Sequence, residues 1–291
     1  MEDDFEELRK SLIKKTKERI SKDYESEEYA LMQAINAYNE TLKVYNTLYE
    51  RLAEWYSLYF PELPLQQQKS LADLVMVLNT ERDIGAGALQ GIFEDRNKAE
   101  SIAAKAASSI GRRMTAEEKD TILEYAKLYK QAEQTLKALE GYMKASAGRI
   151  MPNTTYLTDE KIAAELLAKA GSMERLATFP SSTIQLLGAE KALFKHIKFG
   201  SKPPKYGSIF KLPAISNARH DIRGKIARMY AAKIAMALKA DYYSKKFIAD
   251  KLMSDLEAGI KKANESPEKP KKQTSWKIGS TRNIGRQRRR R

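Results

Sequence analysis

The side chains best equipped for chemistry in this chain are the cations and aromatic rings between residues 188 and 228. Gly188, Ala189 and Glu190 open a segment in which Lys191, Lys195 and Lys198 accompany an apolar face of Leu193, Phe194 and Ile197, a spacing that predicts an amphipathic helix. Gly200 fits the position just past its end. A helix that starts at a glycine leaves free N–H groups made mildly positive by the macrodipole, and Lys191 beside them would complete a seat for a phosphate. Pro203 and Pro204 stiffen the next loop, Gly207 lets it turn, and Lys202, Lys205 and Tyr206 lie on it. A lysine-flanked tyrosine that is exposed there can stack on a base. A second helix from Ile222 carries Ile226, Tyr230, Ile234 and Leu238 at helical spacing and crowds Arg223, Lys225 and Arg228 into its first turns, where cations oppose the dipole. Charges held at that local cost point to a polyanion, RNA or DNA, although a merely solvated basic face would have the same pattern.

Nothing comparable supports catalysis. There is no cysteine, and the two histidines, His196 and His220, are too few for a histidine-rich zinc site. The chain has no phosphate-cradling Gly-x-x-x-x-Gly-Lys loop, no dinucleotide glycine fingerprint and no His-Glu-x-x-His. Asp241 beside Tyr242 and Tyr243, or Glu190 beside Lys191, are sequence neighbours that do not face one another on a helix, so they read as caps and ion pairs. The expectation is a scaffold with no cofactor, no metal and no catalytic residue.

The elements that must position the cationic stretch are helical throughout, so the fold class expected is all-α. Residues 1–24 are charged and helix-prone, a connector. From residue 25 a heptad seam runs through Leu31, Ile35, Tyr38, Leu42, Tyr45, Tyr49, Leu52, Tyr56 and Tyr59, ending at Pro61 and Pro64. A second seam, Ile122, Tyr125, Tyr129, Ala132, Leu136, Leu139 and Met143, begins at a capping box of Thr115 and Glu118. Two helices of similar length, joined by a helical insertion over 65–113, predict a long antiparallel coiled-coil domain over 25–150. Val44, Leu48, Trp55 and Leu58 make a further stripe that suggests a second copy of the chain as partner, unless Trp55 and its neighbours pack on the insertion. Met151-Pro152 breaks the long helix and opens a mostly helical globule over 151–262, and residues 263–291 form a basic tail expected to be disordered.

Charge is divided along the same lines. Residues 187–246 hold 14 Lys/Arg against 3 acids, and residues 261–291 hold 12 against 2, so these two segments exceed the whole net charge of +14. The first half is slightly acidic and should do something other than bind a polyanion. No run of eighteen or so apolar residues occurs, and the acidic N-terminus is unlike a signal peptide, so a soluble intracellular protein with no membrane partner is expected.

Several stretches carry a family resemblance. Gly188-Ala189-Glu190-Lys191-Ala192-Leu193-Phe194, Lys202-Pro203-Pro204-Lys205-Tyr206-Gly207 and Arg223-Gly224-Lys225-Ile226-Ala227-Arg228 resemble the three signatures of the Nop domain. Glu54-Trp55-Tyr56 with Phe60-Pro61-Glu62-Leu63, Ser108-Ser109-Ile110-Gly111 and Met151-Pro152-Asn153-Thr154-Thr155 resemble the same family in its order, over residues 25 to 245. The short tail is most similar to archaeal members.

The resemblance implies a scaffold of box C/D ribonucleoproteins, which guide 2′-O-methylation. Its Nop domain would recognise a kink-turn guide RNA together with the small ribosomal-like kink-turn protein already bound to it, and its coiled coil would pair two copies. The resemblance places Gly188, Ala189, Glu190, Lys191, Lys195, Lys198, Lys202, Lys205, Tyr206, Arg223, Lys225 and Arg228 at the RNA. Leu31, Ile35, Tyr38, Leu42, Leu52, Trp55, Ile122, Leu136 and Leu139 would lie in the coiled-coil and homodimer contacts. It implies a cytoplasmic protein if archaeal and a nucleolar one if eukaryotic. Two departures stand out. The family's domain that docks the methyltransferase fibrillarin precedes the coiled coil, where only about two dozen residues stand here, so RNA and self-association are expected of this chain and fibrillarin capture is not. Tyr206 takes the place of the family's usual histidine, which keeps an aromatic face and loses a titrating one.

Overall fold

A computed structural model describes residues 2–63, 70–78, 86–93 and 95–265. Pro64 and the tail beyond residue 265 lie outside them, and with them the second proline of the expected stop and the expectation of a disordered tail. Every regular element among the described residues is helical. In chain order these are α1 (Glu2–Tyr24), α2 (Glu27–Tyr56), α3 (Leu71–Leu78), α4 (Ala86–Gln90), α5 (Arg96–Ala107), α6 (Ala116–Ile150) and α7 (Pro152–Leu157). Then follow α8 (Glu160–Ala170), α9 (Met173–Thr178), α10 (Ser181–Leu186), α11 (Glu190–Phe199), α12 (Pro213–Ser216), α13 (Arg223–Lys239) and α14 (Ala249–Asn264). A 3₁₀ turn spans Ser208–Lys211 and a π turn spans Ala240–Ser244. The chain divides into two units, one of residues 33–143 and one of the segments before and after it.

In the first unit α2 and α6 run antiparallel. Tyr38 donates to Glu140 at 2.9 Å, the rings of Tyr45 and Tyr129 stack at 4.5 Å, and Trp55 meets Tyr125 edge-on at 6.3 Å, so partner numbers rise on one helix as they fall on the other. The period-3.5 seams explain the pairing, because they put one apolar line on each helix. Ile35, Leu52, Ile122 and Leu136 are buried, while Tyr38, Leu42, Trp55 and Leu139 are half-buried; Leu31, buried too, falls in the other unit. The Tyr129 hydroxyl donates to that of Tyr45 inside the seam, and burial pushes the Tyr129 phenol well above its ordinary pKa.

Leu71, Leu74, Val75, Leu89, Phe93, Ala99 and Ile102 of the insertion join the same core. The expected capping box is present: Glu118 accepts from the Thr115 N–H at 2.9 Å, and Thr115 accepts from the Glu118 N–H at 3.3 Å. The stripe proposed from the sequence as a contact with a second copy is divided. Leu48 is buried and Trp55 lies against Tyr125, within the chain's own hairpin rather than outside it, while Val44 and Leu58 remain exposed.

In the second unit α13 is the central strut. It packs against α10, α14, α7, α12 and α9, and Ile226, Tyr230, Ile234 and Leu238 are all buried as their spacing requires. α8 starts at the Asp159 cap and ends at Gly171, whose φ of 87° is the left-handed conformation that glycine adopts without a Cβ clash. Pro152 sits in the first turn of α7, where its missing N–H costs nothing.

Candidate nucleic-acid interface

The first two cationic stretches are interlocked by backbone contact. The Gly207 N–H donates to the Gln185 carbonyl at 2.8 Å, the Ser208 N–H to the Leu187 carbonyl at 2.7 Å, and the Gln185 amide to the Lys205 carbonyl at 2.6 Å. A Cβ on Gly207 would stand 2.1 Å from the Leu187 carbonyl oxygen, so this glycine is required by close approach rather than by a special turn. Gly188 has φ +95°, and a Cβ there would stand 2.2 Å from Ser208 Oγ. Glu165 of α8 ties the junction down, accepting from Ser208 Oγ at 2.9 Å and pairing with Lys211 at 2.5 Å. The loop is therefore a fixed support for α11.

α11 ends at Gly200, φ 66°, as expected, and its start differs from expectation. The helix is capped at Ala189, and the Gly188 N–H donates to Glu190 Oε1 at 2.7 Å. The phosphate seat inferred from the opening glycine is thus occupied by the chain's own carboxylate. Burial disfavours charge on Glu190, but the N–H groups of Glu190 itself and Gly188, with the charge of Lys169, outweigh it and hold the carboxyl below its ordinary range.

The spacing predicts an apolar face on α11 without saying what covers it. Leu193 is half-buried, but Phe194 is 70% exposed, Ile197 71% and Phe199 70%, and none of the helix is fully buried. Exposed aromatic and aliphatic groups grouped on one short helix mark a contact surface. Lys191, Lys195 and Lys198 are exposed among them and have no ion-pair partner among the described residues. Lys198 lies 5.4 Å from the Phe199 ring centre. His196 is turned the other way, its Nδ1 bonded to the Ser201 carbonyl.

The third stretch joins the first two through a column that the sequence reading half anticipated. The Tyr206 ring is half-buried and stacks on Phe210 at 4.6 Å and 8°, and the Arg223 guanidinium lies 5.6 Å from the other partner in the column, the Phe210 ring. Arg223 also donates twice to the Ala218 carbonyl, at 3.2 and 2.9 Å. Tyr206 was expected to be freely exposed and Arg223 to hold a phosphate, whereas both are committed within the chain and fix the loop to α13. Phe210 was missed, although its spacing of four from Tyr206 was available. Lys202, Lys205, Lys225 and Arg228 are exposed, Arg228 bonding the Gly224 carbonyl with Nε at 3.1 Å.

A further pairing was unanticipated. Asp241, 1% exposed, accepts from the Asn153 N–H at 2.9 Å and its Nδ2 at 2.7 Å, and from the Thr154 N–H at 2.9 Å and its Oγ1 at 2.7 Å. α7 has no side-chain cap of its own, so this carboxylate from the end of α13 satisfies its first turn. Among the described residues no group of His, Asp and Glu could hold a metal ion, and no helix is long and apolar enough to cross a membrane.

A family model described as "Nop: snoRNA binding domain, fibrillarin" matches residues 37–262. The chain belongs to the Nop family. Relatives include a NOP5 family protein of Methanocaldococcus jannaschii, 35% identical over 91% of this chain and 65% of the relative. Nucleolar protein 56 of Dictyostelium discoideum is 34% identical over 74% of this chain and 41% of its own length. For nucleolar protein 58 of Schizosaccharomyces pombe the identity is 34%, over 74% and 43%. The chain spans less than two thirds of the length of these relatives. A crystal structure of a fibrillarin/Nop5p complex shares the fold, with TM-score 0.51, 22% identity, 89% of this chain and 78% of that chain covered. The interlocked glycines, the α11 face and the Asp241 clamp all fall inside the matched segment.

Proposed function

We propose that this Nop-family chain is a core scaffold of a box C/D-type guide RNA ribonucleoprotein. It binds kink-turn RNA together with the kink-turn protein already seated on it, pairs with a second copy through the α2–α6 hairpin, and supports RNA-guided 2′-O-methylation without catalysing it. The observation that carries this reading is the composition of α11. Phe194, Ile197 and Phe199 offer an apolar patch of the kind a protein covers, and Lys191, Lys195 and Lys198 beside them offer unpaired cations of the kind phosphates neutralise. One helix that presents both suits a target that is itself part protein and part RNA.

The Tyr206–Phe210–Arg223 column acts as a positioning element that holds the lysine-bearing loop at the foot of α13. The exposed Val44 and Leu58 of the hairpin support self-association. The relatives named as nucleolar proteins support a nucleolar site should the chain be eukaryotic. Gel-shift competition between kink-turn RNA carrying its protein and the same RNA bare tests the reading. Preference for the loaded RNA is expected. Equal binding of both would favour a nonspecific RNA chaperone instead.

A further inference from the structure

The end of α13 remote from the cationic face carries aromatic rings that no core absorbs. α13 runs on into the π turn Ala240–Ser244, and Lys245 then takes φ 54°, a left-handed conformation uncommon for a residue with a Cβ. Asn153 holds this backbone in place. Its Nδ2 donates to Asp241 and, at 2.9 Å, to the Lys246 carbonyl, and its Oδ1 accepts from the Ile248 N–H at 2.6 Å.

So fixed, the segment displays Phe247, 53% exposed, edge-on to Tyr156, 50% exposed, at 5.6 Å. Tyr243, 64% exposed, stands edge-on to Tyr242 at 4.8 Å on the π turn. Lys245 and Lys246 are exposed beside them, with no ion-pair partner among the described residues. Asp250 lies near the Tyr156 hydroxyl and raises its pKa. From 239 to 251 the chain carries four lysines against two acids, one of which is the buried Asp241.

From this juxtaposition we infer that Tyr243, Phe247, Lys245 and Lys246 form a second contact for unpaired RNA, the rings stacking on bases and the ammonium groups meeting the phosphates. A backbone held by buried hydrogen bonds keeps exposed rings in place at little entropic cost, which is what a stacking platform needs. Asp250 and Glu257 lie near Tyr156, and Glu174 and Glu28 near Tyr242, but Lys245 and Lys246 have no ion-pair partner among the described residues and leave two cations for the phosphates of a strand whose bases stack on the rings. α13, 17 residues and so about 25 Å long, runs from Arg223 beside the lysine-bearing loop to this segment, which makes it a site distinct from that loop. The inference rests on the reading of the chain as an RNA-binding protein.

The test uses the full chain and two protein-loaded kink-turn RNAs, one blunt and one with a ten-nucleotide unpaired extension. The extension should tighten binding by about five- to a hundredfold, the range of one stacked base. Tyr243→Ser with Phe247→Ser should remove that gain and leave the blunt RNA unaffected, with helicity unchanged because both rings are exposed. In the unmodified chain, 4-thiouridine in the extension should crosslink to the segment 243–247. An extension that adds nothing, crosslinks that map elsewhere, or a variant that keeps the gain would overturn the inference, and the last would leave the rings to a protein partner. A chain that binds neither RNA would overturn the function proposed above as well.

Discussion

The helical hairpin pairs several of its cations with acids, as the globule does at Lys211, Arg219 and Lys233, whereas the face of α11 and the start of α13 do not. In the hairpin Lys130 pairs with Asp73 and Glu133, Lys137 with Glu133, Lys127 with Glu124, and Arg112 with Glu118. On α11 and the start of α13, Lys191, Lys195, Lys198 and Lys225 have no such partner among the described residues. Exposed pairs add little to stability, but they cancel the field that a polyanion would feel, and unpaired lysines leave it intact. Which cations lack acids therefore says more about the proposed RNA face than how many there are. The hairpin spends its aromatic residues on an inner seam, whereas the globule leaves Phe194 and Phe199 outside.

The largest test of this division is to break each unit's interior and ask whether the other survives. Leu52→Asp puts a carboxylate in the fully buried seam and should cost about 4 kcal/mol or more, removing the hairpin's thermal transition while the globule's persists. Calorimetry would read this as the loss of one of two transitions, and a single merged transition would contradict it. Asp241→Ala should do the converse, leaving four donors of Asn153 and Thr154 without their acceptor at a cost of about 3 kcal/mol confined to the globule.

Smaller effects separate charge from position on the RNA face. Lys191→Ala, Lys195→Ala and Lys225→Ala should each reduce the slope of log affinity against log salt by about 0.7 to 0.9, with the melting temperature unchanged. Arg223→Ala should instead weaken binding with little change of slope, since its guanidinium is engaged by the Ala218 carbonyl and the Phe210 ring. A full unit of slope lost at Arg223 would mean that it reaches a phosphate after all.

The smallest effect is an acid one. The hydrogen bond from Arg112, followed by that from the Thr115 N–H, lowers the Glu118 pKa from its ordinary 4.5 to about 2. A depressed carboxyl stabilises the fold above its unfolded pKa, and this contribution is lost as pH falls through the folded one. The hairpin should therefore weaken between about pH 4.5 and 2, and Glu118→Gln should flatten that part of its profile, read by circular dichroism against pH.

The sequence made the helices legible because their signals are periodic and local. The seams of α2 and α6, the Thr115–Glu118 box and the buried line of α13 all repeat within a few residues. The family stretches marked the proposed RNA face for the same reason. What stayed hidden depends on partners far apart in the chain. Asp241 and Asn153 are 88 positions apart, and no local pattern says that a carboxylate after α13 caps α7. Nor does composition say that Gly207 answers to the Leu187 carbonyl rather than to a turn. The outward direction of Phe194 and Ile197 was not legible, because an apolar stripe on a helix looks the same whether the chain itself or a partner covers it.

The central claim is that α11 reads a protein and an RNA at once, and it is tested by the affinity difference between loaded and bare kink-turn RNA in two variants. Phe194→Ser with Ile197→Ser should abolish the preference for the loaded RNA while leaving affinity for the bare RNA unchanged. Lys191→Ala with Lys195→Ala should weaken both RNAs alike and keep the preference. If the serine variant retains the full preference for the loaded RNA, α11 is not the surface that recognises the composite target.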